Sequence, residues 1–150
     1  MPPRVSAVIT TYNQAAYIGA AVASVLDQTY SEVETVLVDD GSTDGTAREL
    51  APFRDRIRYI YQPNQGIAAA RNTGVQHTTG SLVAFLDGDD LWSPEKLEIQ
   101  VEASLRHSDA GLIVADGVYF DGSRILSDSL FKSEISSRFG AHESSIRLDC

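Results

Sequence analysis

Short apolar runs alternate with helical patterns along the first two-thirds of this chain. The runs are rich in β-branched residues, and each predicts a β-strand. They occupy residues 5–10, 33–38, 57–61 and 82–86. After the first run, apolar side chains recur at helical spacing, at Ile18, Ala21, Val22, Val25 and Leu26. Strands that alternate with helices predict an α/β fold, with a mainly parallel central sheet flanked by helices.

Residues between the runs predict where the helices begin. Asn13 and Ser93 are good N-caps, and Pro94 stands where a first-turn proline loses no hydrogen bond. A short helix to about Leu50 and a helix of small residues at 66–75 are also predicted. The helix after Ser93 should bury one side, formed by Leu97, Val101 and Leu105. The fourth run, LVAFL, has no polar interruption, which favours a central strand covered on both faces.

The pattern weakens toward the end of the sequence. Residues 112–115 predict a further strand, and residues 118–125 a hairpin around Asp121 and Gly122. The length of 150 residues, the apolar fraction of 43% and the charged fraction of 22% are typical of one compact globular domain.

Composition narrows the function classes. A net charge of -9 argues against nucleic-acid binding, because phosphate backbones are bound by clusters of lysine and arginine. The only cysteine is Cys150, so no internal disulfide is expected. No apolar run reaches the roughly 20 residues that span a bilayer. We therefore expect a cytoplasmic protein.

Carboxylates follow two of the predicted strands. Asp39 and Asp40 end the second strand, and Asp87, Asp89 and Asp90 follow the fourth. Two like charges about 4 Å apart repel by about 4 kcal/mol at an effective dielectric constant near 20, and a divalent cation removes that repulsion. Mg²⁺ and Mn²⁺ prefer such oxygen ligands. The alternative is that both acidic strings are solvated turns, the second ahead of the helix at Ser93.

Four ordered motifs carry a family resemblance. The strings VSAVITTYN, ETVLVDDGSTDGT, NQGIAAARNTG and FLDGDD resemble those of the family 2 glycosyltransferases of the GT-A fold, over residues 5–100. The resemblance implies a Rossmann-like nucleotide-binding half. It also implies inverting transfer of a sugar from a nucleotide diphosphate sugar, a UDP-sugar by preference, to a glycan or lipid-linked acceptor.

The first three motifs imply a nucleotide site. The resemblance places Thr10 and Tyr12 beside the base, lets Asp40 hydrogen-bond the base, and gives Asp39 a structural role or a place near the ribose. Arg71 matches an arginine near the nucleotide. The alternatives are that Tyr12 packs over the first helix and that Arg71 forms a surface ion pair.

The fourth motif implies a metal site for Mn²⁺ or Mg²⁺. Asp89 corresponds to the direct metal ligand and Asp87 to a second ligand nearer the ribose. Gly88, between them, lets the backbone approach a bulky ligand. Asp90 and Trp92 lie next to the transferred sugar or support the loop, and packing is the favoured role of Trp92. The three histidines show no metal-ligand spacing.

The resemblance also divides the chain. Residues 1–105 correspond to the donor-binding region, and residues 106–150 to the start of an acceptor-side region that is truncated within one compact domain. The general base of the family comes from a later segment, and no motif identifies Asp116, Asp121 or Glu143 as that base. Peripheral membrane association of the full-length protein fits a lipid-linked acceptor.

Other functions remain open at this stage. A non-catalytic module that binds nucleotide sugars would keep the donor motifs and lack the base. The order Asp-Gly-Asp differs from the Asp-x-Asp-Gly-Thr of haloacid dehalogenase phosphatases. A receiver-type phosphoacceptor would need a lysine at a later strand end, and the sequence offers none.

Overall fold

A parallel sheet with helices on both faces forms the body of the protein. The structure, a computed structural model, describes residues 1–121 and 124–126. Its strands are β1 (Val5–Thr11), β2 (Val33–Asp39), β3 (Arg58–Tyr61) and β4 (Leu82–Asp87). Its helices are α1 (Ile18–Leu26), α2 (Thr46–Glu49), α3 (Ile67–Gln76) and α4 (Lys96–Arg106), with a 3-10 turn at Ala51–Phe53. The predicted α/β class is confirmed.

The sheet has the order β3-β2-β1-β4, and all its pairs are parallel. Val5 pairs with Val33 on one side and with Leu82 on the other. The chain therefore moves outward from β1 to β3 on one side and returns to the other side of β1 for β4. Open α/β sheets bind ligands at such a switch point, beyond the carboxyl ends of the strands.

Helices cover the two faces of the sheet unequally. Ala7 and Ile9 of β1 lie on one face of the sheet. They pack there with Ile18, Val22 and other residues of α1. Leu97 and Val101 of α4 form a second cluster with Val5. Helix α3 packs on β1 and β2 at the opposite face, where Gly74 lies against Val8.

The predicted central position of the fourth strand is wrong for the described residues. β4 is an edge strand there, and Val83 and Phe85 are 39% and 45% exposed. Leu82, Ala84 and Leu86 pack against the core clusters instead. A strand with an unbroken apolar run still alternates between two faces, and the pattern alone does not show whether both faces are covered.

Two predicted helix starts also need correction. Asn13 does not cap α1, because its φ of 52° puts it in the left-handed region and α1 begins only at Ile18. Asparagine tolerates this conformation better than most residues, so the same chemistry that suits a cap suits a turn. Ser93 does not cap α4, because its Oγ is buried without a partner among the described residues. Its carbonyl accepts from the Lys96 amide and from Gln28 Nε2.

The later part of the chain has less regular structure than predicted. Leu105 is 66% exposed, so the buried side of α4 ends earlier than the spacing indicates. Residues 112–115 form no strand. Phe120 and Ile125 make an antiparallel bridge, which agrees with part of the predicted hairpin. Gly122, Glu143 and Cys150 lie outside the described residues.

The chain divides into two compact units, Met1–Glu102 and Ala103–Cys150. The first contains the whole sheet, and the second is described over residues 103–121 and 124–126. The assignment of donor and acceptor roles to residues 1–105 and 106–150 stays a prediction. No helix in the described part of the chain is both long and apolar enough to cross a membrane.

Glu34 joins the amino ends of β1 and β2 to the turn before β4. Its carboxylate accepts hydrogen bonds from the Ser6 hydroxyl, from the amide and hydroxyl of Thr79, and from the Gly80 amide. Burial raises the pKa of Glu34, but these hydrogen bonds outweigh burial and lower it to about 2. The Arg4 guanidinium lies 3.6 Å from the same carboxylate.

Candidate functional site

A cavity of about 530 Å³ opens at the carboxyl ends of β1, β2 and β4. The residues that line it come from all three strand ends, from the turn before α3 and from α3 itself: Thr10, Thr11, Tyr12, Gln14, Asp40, Asn64, Gly66, Ile67, Ala70, Asp87 and Asp89. This volume is typical of sites for small molecules and cofactors. A second cavity, of about 510 Å³, lies at the opposite end of the strands around Arg4 and Arg58.

Asp40 is fixed inside the first cavity. Its carboxylate accepts hydrogen bonds from Gln62 Nε2 at 2.7 Å, from the Gln65 amide at 3.0 Å and from the Gly66 amide at 2.8 Å. Asp40 is only 3% exposed, whereas Tyr12 beside the same cavity is 49% exposed. The Asp40 side chain is thus held at one orientation, and the Tyr12 ring is accessible to a ligand.

Asp39 has a different environment from its neighbour. It is completely buried and is not among the residues that line the cavity. Its Oδ1 accepts from the Ser42 amide at 2.8 Å, and its Oδ2 accepts from the Tyr59 hydroxyl at 2.7 Å. Burial and this bond raise the pKa of Tyr59 to about 12, so the phenol stays a donor. These contacts support the loop after β2, and a ribose contact of Asp39 stays a prediction.

Arg71 and Asp87 form an ion pair at the cavity. Arg71 Nη2 lies 2.8 Å from Asp87 Oδ1 and 3.1 Å from Oδ2, and the guanidinium carbon lies 5.9 Å from the centre of the Phe85 ring. Thr10 Oγ1 adds a long hydrogen bond of 3.4 Å to Asp87 Oδ1. Arg71 Nε is buried without a partner among the described residues. Asp87 therefore reaches the cavity already partly neutralised.

Gly88 lies close against the loop that follows β1. Its amide donates to the Thr10 carbonyl at 2.9 Å. A Cβ atom at this position would lie 2.5 Å from Gln14 Oε1 and 2.9 Å from Thr11 Oγ1. The backbone at Gly88 therefore lies too close to Gln14 and Thr11 to leave room for a side chain. The predicted close approach of this glycine to a ligand stays a prediction.

The Asp87–Asp90 turn concentrates negative charge at the cavity rim. Asp89 is exposed and lines the cavity. Burial raises the pKa of Asp90, and the charges of Asp89 and Asp87 raise it further. Within the described residues, no three histidine, cysteine or acidic side chains converge on one metal position.

These observations decide how the site suits a divalent cation. Arg71 contacts both oxygens of Asp87, and Asp89 is exposed without such a pairing among the described residues, which makes Asp89 the more accessible carboxylate for a metal. Mg²⁺ and Mn²⁺ are commonly held by one or two protein carboxylates, with water and substrate phosphates completing the shell. The donor set at the cavity fits that kind of site and does not fit a metal held by protein ligands alone.

Trp92 lies outside the residues that line the cavity and packs against both core clusters. Its amide donates to Ser24 Oγ at 3.2 Å, and Lys96 Nζ lies 3.9 Å from the centre of its ring. Burial lowers the pKa of Lys96 to about 8. These contacts agree with a packing role for Trp92, which is the role that the sequence favours.

Sequence reasoning missed several residues of the cavity. Thr11, Gln14, Asn64 and Gly66 line it but had no assigned role. Gly66, with a φ of 87°, precedes α3 and gives its amide to Asp40. The string Asn-Gln-Gly before a helix of small residues is a turn signal that could have indicated it.

Comparison with known proteins defines the class of this protein. The profile of glycosyl transferase family 2 matches residues 6–144. The chain belongs to this family.

Individual relatives agree with this assignment. A putative teichuronic acid biosynthesis glycosyltransferase of Bacillus subtilis, TuaG, is 40% identical over 129 residues, which are 79% of this chain and 51% of the relative. The Escherichia coli protein WfgD, a UDP-Glc:alpha-D-GlcNAc-diphosphoundecaprenol beta-1,3-glucosyltransferase, is 39% identical over 106 residues, 69% of this chain and 42% of its own. The chain thus spans about half or less of these curated relatives.

Solved structures with the same fold include S. aureus TarS. Its residues 1–349 match with a TM-score of 0.63 and 29% identity, over 70% of this chain and 33% of that one. TarS has also been solved with UDP and with UDP-GlcNAc. The mannosyltransferase PcManGT from Pyrobaculum calidifontis, in complex with GDP-Man and Mn²⁺, matches with a TM-score of 0.54 and 33% identity, over 61% of this chain and 29% of that one. The predicted GT-A type of fold is confirmed.

Proposed function

We propose that this chain forms the donor-binding part of an inverting glycosyltransferase that uses a nucleotide diphosphate sugar, with UDP as the preferred nucleotide. A Mn²⁺ or Mg²⁺ ion accompanies the donor. The acceptor is a glycan or a lipid-linked saccharide, and the setting is cytoplasmic polysaccharide biosynthesis. The support comes from family membership, from WfgD, which is named for a UDP-Glc donor, and from TarS, which has been solved with UDP-GlcNAc.

One observation carries the proposal. Tyr12, Asp40, Asp87 and Asp89, which come from three separate strand ends, line one cavity at the switch point of the sheet. A nucleotide diphosphate sugar needs both an aromatic and polar surface for its base and a site for a charged diphosphate. The cavity offers these features side by side.

The base side of the proposed site lies at Tyr12 and Asp40. The exposed ring of Tyr12 offers a flat surface for a base. Asp40 is oriented by three donors, and a carboxylate has about four lone-pair positions, so it retains an acceptor position for an N–H of the base. We assign Thr10 to the same side and Asp39 to the support of the loop.

The diphosphate side of the proposed site lies at the turn after β4. Asp89 would hold the cation, and Asp87 would lie near the ribose. Gly88, which has no side chain, would let the backbone approach the ligand closely. Bound there, the cation supplies Lewis-acid stabilisation of the departing diphosphate. Arg71 fixes the orientation of Asp87 through its Nη2, while its Nε is buried without a partner among the described residues.

The acceptor side needs a carboxylate that takes the proton from the acceptor hydroxyl. We assign no described residue to this role. Asp116 and Asp121 have interaction partners of their own, and Glu143 lies outside the described residues. Transfer to an acceptor is therefore a property that we propose for the whole protein, and donor binding is the property that we propose for this chain.

Isothermal calorimetry tests the proposal. We expect the chain to bind UDP in the presence of Mn²⁺ and to bind it at least tenfold more weakly in EDTA, which corresponds to about 1.4 kcal/mol. Asp89→Asn should lose the effect of Mn²⁺ while its unfolding transition in urea stays within about 0.5 kcal/mol of wild type, because an exposed loop carboxylate contributes little to stability. Asp55→Asn, an exposed carboxylate at the opposite cavity, is the matched control.

The outcomes are distinct. Loss of Mn²⁺-dependent binding in Asp89→Asn alone supports the assignment. Equal binding by Asp89→Asn and wild type refutes the metal position. No binding of UDP by wild type, with or without Mn²⁺, refutes the proposed donor site as a whole. Binding without release of sugar from a UDP-sugar supports either a donor-binding part that lacks the base or a non-catalytic module.

A further inference from the structure

Two loops at the cavity are joined by hydrogen bonds that the motifs do not reveal. One loop follows β1 at residues 12–17, and the other follows β2 at residues 40–45, up to Thr46 at the start of α2. The Asn13 amide donates to Ser42 Oγ at 2.9 Å, and the Thr43 amide donates to Asn13 Oδ1 at 2.8 Å. The Ala15 amide donates to Asp44 Oδ2 at 3.0 Å. Each loop therefore satisfies polar groups of the other.

Thr46 lies at the centre of this connection. It is completely buried, and its hydroxyl donates to Asp44 Oδ1 while accepting from the Gln14 amide at 3.2 Å. A hydroxyl is the one small side-chain group that can donate and accept in this way. We call Asp44, Thr46 and the Asn13–Ala15 backbone amides the loop latch.

The hydrogen bonds between Asp44 and Thr46 orient both members. The Thr46 amide donates to Asp44 Oδ1 at 2.9 Å, in addition to the bond from its hydroxyl. The hydroxyl of Thr46 lowers the pKa of Asp44, burial opposes this, and the Ala15 and Thr46 amides lower it further. Asp44 thus stays an acceptor for both loops at neutral pH.

The loop latch leads directly to the cavity. Gln14, whose amide reaches Thr46, presents its side chain to the cavity lining. Its Oε1 accepts from Thr11 Oγ1 at 3.0 Å and lies where a Cβ of Gly88 would be only 2.5 Å away. A displacement of this loop would therefore move Gln14 against the turn that carries Asp87 and Asp89.

We propose that Asp44 and Thr46 are positioning residues for nucleotide binding, because the loop latch holds Tyr12 and Gln14 at the cavity. Neither Asp44 nor Thr46 lines the cavity, so both act through the loop after β1. Gln14 then forms part of the donor surface, with an amide group suited to phosphate or sugar oxygens. This inference rests on the proposed donor site.

The loop conformation gives a physical reason for needing such residues. Asn13 has a φ of 52°, a region that costs free energy for residues other than glycine and that neighbouring contacts must maintain. Helix α1 begins at Ile18, and the Gln14 carbonyl accepts turn hydrogen bonds from the Tyr17 and Ile18 amides. Tyr12 and Asn13 lie before that turn. Bonds to the second loop supply the order that a helix would otherwise supply.

Thr46→Val is the sharpest test, because valine keeps the shape of threonine and removes only the hydroxyl. The Gln14 amide loses its acceptor, and Asp44 loses one donor. We expect the affinity for UDP with Mn²⁺ to fall by about tenfold, the order expected when one or two hydrogen bonds are lost. Thr46→Ser, which keeps the hydroxyl, should bind UDP within about threefold of wild type.

Asp44→Ala tests the other member of the loop latch. We expect a similar loss of UDP affinity, and faster hydrogen exchange at the Gln14 and Ala15 amides by NMR without any ligand. Asp55→Ala, an exposed aspartate away from both loops, should change neither quantity. Both substitutions break the same loop latch. The variant that carries Asp44→Ala and Thr46→Val together should therefore bind UDP no more weakly than the single variant with the lower affinity.

These measurements separate a positioning role from a merely structural one. A structural role would lower the urea midpoint and leave the UDP affinity of the folded protein unchanged, which would overturn the proposal. Faster exchange together with weaker binding supports it. If wild type fails to bind UDP, the proposed donor site is refuted, and so is the positioning role, although the exchange data would still show whether the loop latch exists.

Discussion

Gly74 offers a test of how tightly α3 is packed against the sheet. Gly74 is buried in α3, and a Cβ built on it would lie 2.3 Å from Val8 Cγ1 and 3.5 Å from Val38 Cγ2. Carbon atoms in ordinary contact are about 3.5 to 4.0 Å apart. Gly74→Ala therefore requires a movement of more than 1 Å between α3 and β1, by the same contact distances.

Two effects of this substitution oppose each other. Alanine is favoured over glycine within a helix by about 1 kcal/mol. Forcing an extra methyl group into a packed core costs about 1 to 3 kcal/mol. Val8 is fully buried, and β1 is paired with a strand on each side, so Val8 cannot move away freely. We expect the clash to win, with a net loss of up to about 2 kcal/mol in the free energy of unfolding.

Urea denaturation followed by circular dichroism measures this change. With a slope of about 2 kcal/mol per M, the midpoint should fall by up to about 1 M. Gly19→Ala in α1 is the matched control, because nothing lies within 4 Å of the added Cβ. That variant should keep or slightly raise the midpoint.

Val8→Ala gives an independent test, because it removes the Cγ1 atom that the new methyl group would contact. The double variant should be less destabilised than the sum of the two single variants. Because Arg71 lies on the same helix and holds Asp87, Gly74→Ala should also weaken UDP binding. A stability gain in Gly74→Ala equal to that of Gly19→Ala would refute the packing argument.

Two further predictions concern the turn after β4 and the amino end of the sheet. In Gly88→Ala the added methyl group would clash with Gln14 Oε1 and with Thr11 Oγ1. The Gln14 side chain can move aside, but Thr11 lies on the buried strand β1 and cannot. Calorimetry should therefore show weaker UDP binding, and an unchanged affinity would contradict this prediction. The pKa of Glu34 is about 2 in the folded protein against 4.5 ordinarily, so its stabilisation is complete above pH 4.5 and is lost as the pH falls toward 2. Glu34→Gln should lack that part of the pH dependence in urea titrations, and parallel profiles for both proteins would contradict it.

The fold followed from sequence patterns where local and global preferences agree. Short β-branched runs became the four parallel strands, and apolar spacing located α1 and α4 within a few residues. Patterning failed where one signal suits two structures. Asparagine at position 13 suits both a cap and a left-handed turn, and an apolar run such as LVAFL suits both an edge strand and a central one.

The candidate site could be predicted in part, for a similar reason. Strand ends in a parallel sheet meet at one edge, so Asp40, Asp87 and Asp89 could be placed together from their positions alone. The ion pair of Arg71 with Asp87 could not, because it depends on how α3 lies on the sheet. The contacts of Asp44 and Thr46 with the loop after β1 span about thirty positions, and no local pattern encodes them.

The central place of β1 also orders the events of folding. Val5 pairs with Val33, 28 residues later, and with Leu82, 77 residues later. Closing the longer segment costs about 1 kcal/mol more in chain entropy, and during synthesis β4 leaves the ribosome after the other three strands. We therefore expect β1 and β2 to associate early, with the acidic turn arriving as the final piece. A chain caught before that step would have half a binding site and an unpaired strand edge, which is a state prone to aggregation.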